Sequence, residues 1–107
     1  MPQQLSDQNF KHEISQGVVL VDFWAPWCGP CRVQGPIVED VEKQFEGNAA
    51  VKVGKLNVDE NPAIGQEFNI LSIPTLIIFK QGAVAEHFIG LQSKQTLVNK
   101  IEKLINK

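Results

Sequence analysis

The run Val18-Val19-Leu20-Val21-Asp22-Phe23-Trp24 constrains this chain more than any other segment. It is apolar at every position except Asp22, and successive side chains on a strand point to opposite faces of a sheet. A strand that is apolar on both faces has to be covered on both, as in the interior of a layered α/β domain. A half-exposed strand would show alternation, and this run shows none.

The flanking sequence supplies the covering layers. Ser6 is placed to cap a short helix over residues 7–15, with Phe10 and Ile14 on one face and Gly17 ending it. After the apolar strand a helix is predicted from Cys28 to Phe45, where Ile37, Val41 and Phe45 recur at helical spacing. Pro36 inside that helix predicts a kink. Val51 to Val58 reads as a second strand, and Asn61-Pro62 as the N-cap and first-turn proline of a short helix. Thr75 to Phe79 is a third strand, joined through Gln81-Gly82 to an antiparallel partner over Ala83 to Ile89. Ser93 caps a final helix whose apolar stripe is Leu97, Ile101, Leu104 and Ile105. A helical crossover makes the first two long strands parallel. The expected fold class is α/β, a central mixed β-sheet flanked by helices on both faces, in one domain over residues 1–107.

Composition narrows the function classes. A chain of 107 residues, 43% hydrophobic and 21% charged, has the make-up of a globular domain, not of a fibre or a disordered tail. Ten basic residues against twelve acidic ones leave a net charge of −2, too balanced to point to nucleic acid or an anionic membrane surface. The longest apolar stretch falls short of the roughly 18 residues of a transmembrane helix. The polar start, Met1 to Asp7, lacks the pattern of a secretory signal.

Two cysteines are too few for a disulfide scaffold, and a core of this size does not need one. They stand in Trp27-Cys28-Gly29-Pro30-Cys31, where the buried strand turns into a helix. Cysteines at this spacing on a helical turn share one side and are close enough to bond. The free N–H groups and dipole of a helix N-terminus favour a thiolate. Cys28, at the very start, gains most and is the expected attacking sulfur. Cys31, one turn further in, is expected to be more buried and to act second. A zinc site is an alternative, but it needs two more ligands, and His12 and His87 are far apart and unpaired. A pair of inert buried thiols is another, although such a pair gains nothing from the helix start.

The run Val21-Asp22-Phe23-Trp24-Ala25-Pro26-Trp27-Cys28-Gly29-Pro30-Cys31 resembles the active-site segment of the thioredoxin family. Lys55-Leu56-Asn57-Val58-Asp59, Ile73-Pro74-Thr75-Leu76, Phe79-Lys80-Gln81-Gly82 and Gly90 match that family in order, so the resemblance spans nearly the whole chain. It implies the thioredoxin fold and dithiol–disulfide exchange on proteins. Cys28 would be the nucleophile, Cys31 the resolving sulfur, and Gly29-Pro30 the pair between them that resembles reducing members. Oxidising relatives usually carry a histidine there, which stabilises the thiolate and makes a stronger oxidant.

Asp22 is a charge inside a run that should be buried, and burial raises a carboxyl pKa toward neutrality, where it can accept a proton. The resemblance places it beneath the cysteines to help deprotonate Cys31, with Lys55 as a buried lysine nearby. It also implies a cis Pro74 beside the disulfide. The Ile73 backbone would pair with a substrate strand, which is recognition by β-addition. Trp27 and Gly90, with Ala25, Pro26 and Ile73, would form the surface around Cys28. Trp24 is expected in the core, and Arg32 as a solvated helix residue.

The implied partners are disulfide-containing proteins and an NADPH-dependent thioredoxin reductase. No bound cofactor is expected, since no glycine-rich dinucleotide fingerprint is present. A cytoplasmic monomer is the matching expectation. The rival readings are an oxidase or isomerase of an oxidising compartment, and a non-catalytic adaptor subunit. Gln34-Gly35, Asn69 and Leu71 depart from the family pattern, and are expected to affect partner preference and local stability without touching the chemistry.

Overall fold

A computed structural model describes residues 1–106. Its elements are β1 (Gln3–Leu5), α1 (Phe10–Glu13), β2 (Val18–Trp24), α2 (Gly29–Gln44), β3 (Val51–Asn57), α3 (Pro62–Glu67), β4 (Thr75–Lys80), β5 (Ala83–Ile89) and α4 (Lys94–Ile105). The sheet order is β1-β3-β2-β4-β5. The apolar run forms β2, the central strand, parallel to β3 and antiparallel to β4, as its two-sided hydrophobicity requires. Gln81 and Gly82 both have positive φ, 51° and 84°, and close the β4–β5 hairpin with a turn whose twist suits it.

The alternation of β2 sorts its side chains between two cores. Val19, Val21 and Phe23 face a cluster with Leu5, Phe10, Ile14, Leu56, Ile64, Ile77 and Phe79 on the α1 and α3 side. Phe10 stands at its centre, with the rings of Phe68 and Phe79 at 5.5 and 5.6 Å. Val18 and Leu20 face the opposite cluster, with Val38 and Val41 of α2 and Leu97, Val98 and Ile101 of α4. Two residues on from Leu20, Asp22 lies on this second face, under α2.

Several expectations are corrected in detail. The first strand, β1, has no counterpart in the sequence pattern, because its burial comes from Leu5 alone. It pairs in parallel with β3, where Gly54 makes room: a Cβ there would stand 2.8 Å from Leu5 Cδ1. The helix expected over residues 7–15 is a single turn, Phe10–Glu13. Ser6 and Asn9 exchange hydrogen bonds ahead of it, at 2.8 and 3.3 Å, and hold the preceding residues as a turn. The buried stripe of α2 is Cys31, Gln34, Val38 and Val41, while Ile37 and Phe45 are half-buried. Pro36 lies inside this helix, as expected, and lacks the N–H that would have bonded the Arg32 carbonyl.

Asn61 occupies the N-cap position of α3 but does not cap it. Its Oδ1 accepts the Asp7 N–H at 3.0 Å, and the Asp7 carboxylate accepts the Ala63 and Ile64 N–H groups at 3.2 and 2.9 Å. Ser93 does cap α4, its hydroxyl accepting the Thr96 N–H at 3.2 Å. Among the described residues no helix is long and apolar enough to cross a membrane.

Candidate active site

Strand β2 ends at Trp24, and the chain reaches α2 through Ala25 to Cys28. Cys28 is the N-cap, in an extended conformation, and its sulfur accepts the Cys31 N–H at 3.2 Å. Pro30 stands in the first turn, where a missing N–H costs no helical hydrogen bond. Cys28 and Cys31 are joined in a disulfide, with Cα atoms 5.3 Å apart. Gly29 and Pro30 between them are exposed.

The expected difference in burial between the two cysteines is absent: Cys28 is 4% exposed and Cys31 6%. Cys28 is covered from the β4 side, where the Ile73 carbonyl oxygen lies 3.7 Å from its sulfur. Cys31 instead borders a cleft of about 170 Å³ together with Asp22, Trp24, Ala25, Pro26, Arg32, Gly35 and Lys55. The Ile73–Pro74 peptide is cis, Pro74 is buried, and the Pro74 carbonyl accepts the Gly90 N–H at 2.9 Å. Ile73 precedes the first paired residue of β4, so its backbone lies outside the ladder. Gly90 has φ +90°, a conformation that favours glycine.

Asp22 is buried, and its Oδ1 has no hydrogen-bond partner among the described residues. Burial pushes its carboxyl up from 3.8 to about 7, against an opposing pull from the Lys55 ammonium. Asp22 and Lys55 are register partners on β2 and β3 and face the same cleft. Lys55 is half-buried, not buried, with its ammonium 5.3 Å from the centre of the Trp24 ring. Trp24 is half-buried as well, because it lines the cleft instead of entering the core. Trp27 is 68% exposed and donates its indole N–H to Asp59 at 2.8 Å. Leu71 and Leu91 are exposed apolar residues next to the Ile73 and Gly90 loops. Arg32 is exposed as expected, donating to the Pro26 carbonyl at 3.3 Å.

The structure thus brings Asp22, Lys55 and Cys31 to one cleft, and Cys28 to Ile73, with Pro74 tying Gly90 to the same edge. Sequence reasoning missed the contact of Asp59 with Trp27, which spans 32 positions, and the bonding of Gln34, expected only as a departure that affects partner preference and local stability, to the backbone of Gln92. A signal for Gln34 existed: it stands one turn after Cys31, a polar amide on the helix face that carries Val38 and Val41. Asn69 has φ 56° and lies just past α3, its N–H bonding the Gln66 carbonyl while the Ile70 N–H bonds Gly65. That helix ending needs a left-handed residue, which glycine supplies most easily and asparagine tolerates.

A bonded cysteine pair at a helix N-terminus, with a buried carboxyl near neutrality behind it, defines a thiol–disulfide exchange domain. The family model described as Thioredoxin matches residues 1–103. The chain is 49% identical over 104 residues to thioredoxin of Synechocystis sp., covering 95% of each chain, and 48% identical over 102 residues to thioredoxin 1 of Nostoc sp., covering 94% of each. The solved structure of a single-site mutant of thioredoxin from Halobacterium salinarum superposes with a TM-score of 0.86 at 33% identity, covering 96% of this chain and 89% of that one. The chain belongs to the thioredoxin family.

Proposed function

We propose that the protein is a protein-disulfide reductase that passes two electrons from Cys28 and Cys31 to disulfide-containing proteins. The observation that carries this reading is the Cys28–Cys31 disulfide at the N-terminus of α2, beside the cleft that holds Asp22. In the reduced protein the Cys28 thiolate, favoured by the helix start, attacks a substrate disulfide. A mixed disulfide forms and one substrate thiolate leaves. Asp22 takes the proton of the Cys31 thiol through the shared cleft, and Cys31 attacks the Cys28 sulfur. The second substrate thiolate leaves, and the protein is oxidised with its disulfide closed. Lys55 draws the Asp22 carboxyl toward its ionised form.

Substrate binds across Trp27, Ile73, Pro74 and Gly90, with the unpaired Ile73 backbone offered to an extended segment. Gly29 and Pro30 leave the nucleophile without a histidine neighbour, which favours the reducing direction over an oxidase. A separate NADPH-dependent reductase restores the dithiol, and a monomer in a reducing, cytoplasmic compartment fits this cycle. The test is reduction of a protein disulfide with dithiothreitol as electron source. Wild-type protein accelerates it, and the double substitution Cys28→Ser, Cys31→Ser abolishes the acceleration. Catalysis that survives that double change contradicts the reading and leaves the adaptor alternative.

A further inference from the structure

Gln34 is fully buried, and both ends of its amide engage one residue of the loop after β5. Its Nε2 donates to the Gln92 carbonyl at 3.0 Å and its Oε1 accepts the Gln92 N–H at 2.8 Å. The Gln92 side chain in turn donates to the Gly90 carbonyl at 3.3 Å, and the Gly90 N–H donates to the Pro74 carbonyl at 2.9 Å. Ile73, the next residue back, places its carbonyl 3.7 Å from the Cys28 sulfur. These contacts close a circuit: from Cys31 one turn along α2 to Gln34, through Gln92, Gly90, Pro74 and Ile73, and back to Cys28.

We infer that Gln34 is a positioning residue for protein substrates, holding the Gly90–Gln92 loop against the edge where Ile73 and Cys28 meet. A buried amide is costly unless both its polar ends are paired, and here the backbone of one residue pairs both. A methionine would fill much the same space, but would leave the Gln92 N–H and C=O without partners. The loop segment carries Gly90 and the exposed Leu91, so its placement matters to a large partner that lies across it. A small disulfide that reaches only the sulfurs needs neither. This inference rests on the reductase reading above and adds to it a determinant of substrate size.

The test compares Gln34→Met with wild type on a protein disulfide and on cystine. The expected result is a KM for the protein substrate raised roughly five- to tenfold, with kcat and the cystine rate within about twofold of wild type. Val38→Ala, a core truncation on the same helix, serves as the control for lost stability and should leave the ratio of the two substrates unchanged. An unchanged protein KM, or an equal loss on both substrates, overturns the inference. Failure of wild type to turn over either substrate contradicts the reductase reading instead. A second measurement needs no variant: the Gln92 N–H lies outside helix and sheet, yet should exchange with deuterium as slowly as the ladder of β4. Rapid exchange there overturns the clamp itself.

Discussion

Asp22 and Lys55 stand directly opposite each other on β2 and β3, yet their charged groups are not within ion-pair distance. Lys55 turns its ammonium over the Trp24 ring, and the Asp22 carboxyl, buried without a close cation, is lifted to about 7. The folded protein therefore holds this proton more tightly than the unfolded chain does. Stability contributed by the protonated form is lost as pH rises from about 4 to about 7, a loss on the order of 4 kcal/mol. Asp22→Asn should accordingly be more stable than wild type at about pH 8, with the gap shrinking toward about pH 4. Urea unfolding at the two pH values checks this, and a gap independent of pH contradicts it.

Removing the Lys55 charge should move the same carboxyl further up, since that ammonium is what pulls it down. Lys55→Met is expected to raise the pH at which resolution by Cys31 becomes fast, by roughly half a unit to one unit. Rapid-mixing rates of mixed-disulfide breakdown across pH measure it. Asp22→Asn should flatten the acid limb of the same profile and slow resolution near neutrality. An unaltered profile in both variants removes Asp22 from the proton path.

The division of labour between the sulfurs is open to trapping. Cys31→Ser should accumulate a mixed disulfide through Cys28, while Cys28→Ser should accumulate none through Cys31. Mass spectrometry of the adducts after mixing with an oxidised protein reads the outcome directly. Adducts on Cys31 in place of Cys28 reverse the assignment. That result is worth seeking, because the two cysteines are nearly equal in exposure in the oxidised form.

Gly35 weakens the interior of α2 without any steric reason, as a Cβ there would meet nothing within 4 Å. Gly35→Ala should therefore stabilise the protein by about 0.5–1 kcal/mol, read as a higher urea midpoint. The added methyl also enters the boundary of the cleft shared by Asp22 and Cys31. An unchanged or lowered midpoint contradicts this reading of the helix.

The parts of the site that were legible in the sequence are those set by local periodicity and those carried by the family resemblance. The two-sided apolar run gave β2 its central place and marked Asp22 as a buried carboxyl, while its position beneath the cysteines came from the family resemblance. The strand-to-helix junction put Cys28 at a helix start. What could not be read depends on contacts between distant residues. Asp7 caps α3 from 56 and 57 positions away, and Gln34 meets Gln92 across 58. Neither pairing has a local pattern, and a glutamine inside an apolar stripe gives no hint of which backbone unit it will bond. Lys55 is less buried than the family resemblance implies, and Trp24 less than its strand pattern implies, for a related reason. A strand pattern shows which face a side chain takes, not whether a cleft opens that face to solvent.

The direction of electron flow is the central claim, and the reduction potential of the Cys28–Cys31 couple tests it most directly. Equilibration against defined ratios of reduced and oxidised glutathione, read by thiol alkylation, gives the value. The couple should be more reducing than glutathione, so that the disulfide stays largely closed even when reduced glutathione is in excess. A potential well above that of the glutathione pool, with the dithiol form favoured, would make the protein an oxidant and contradict the account.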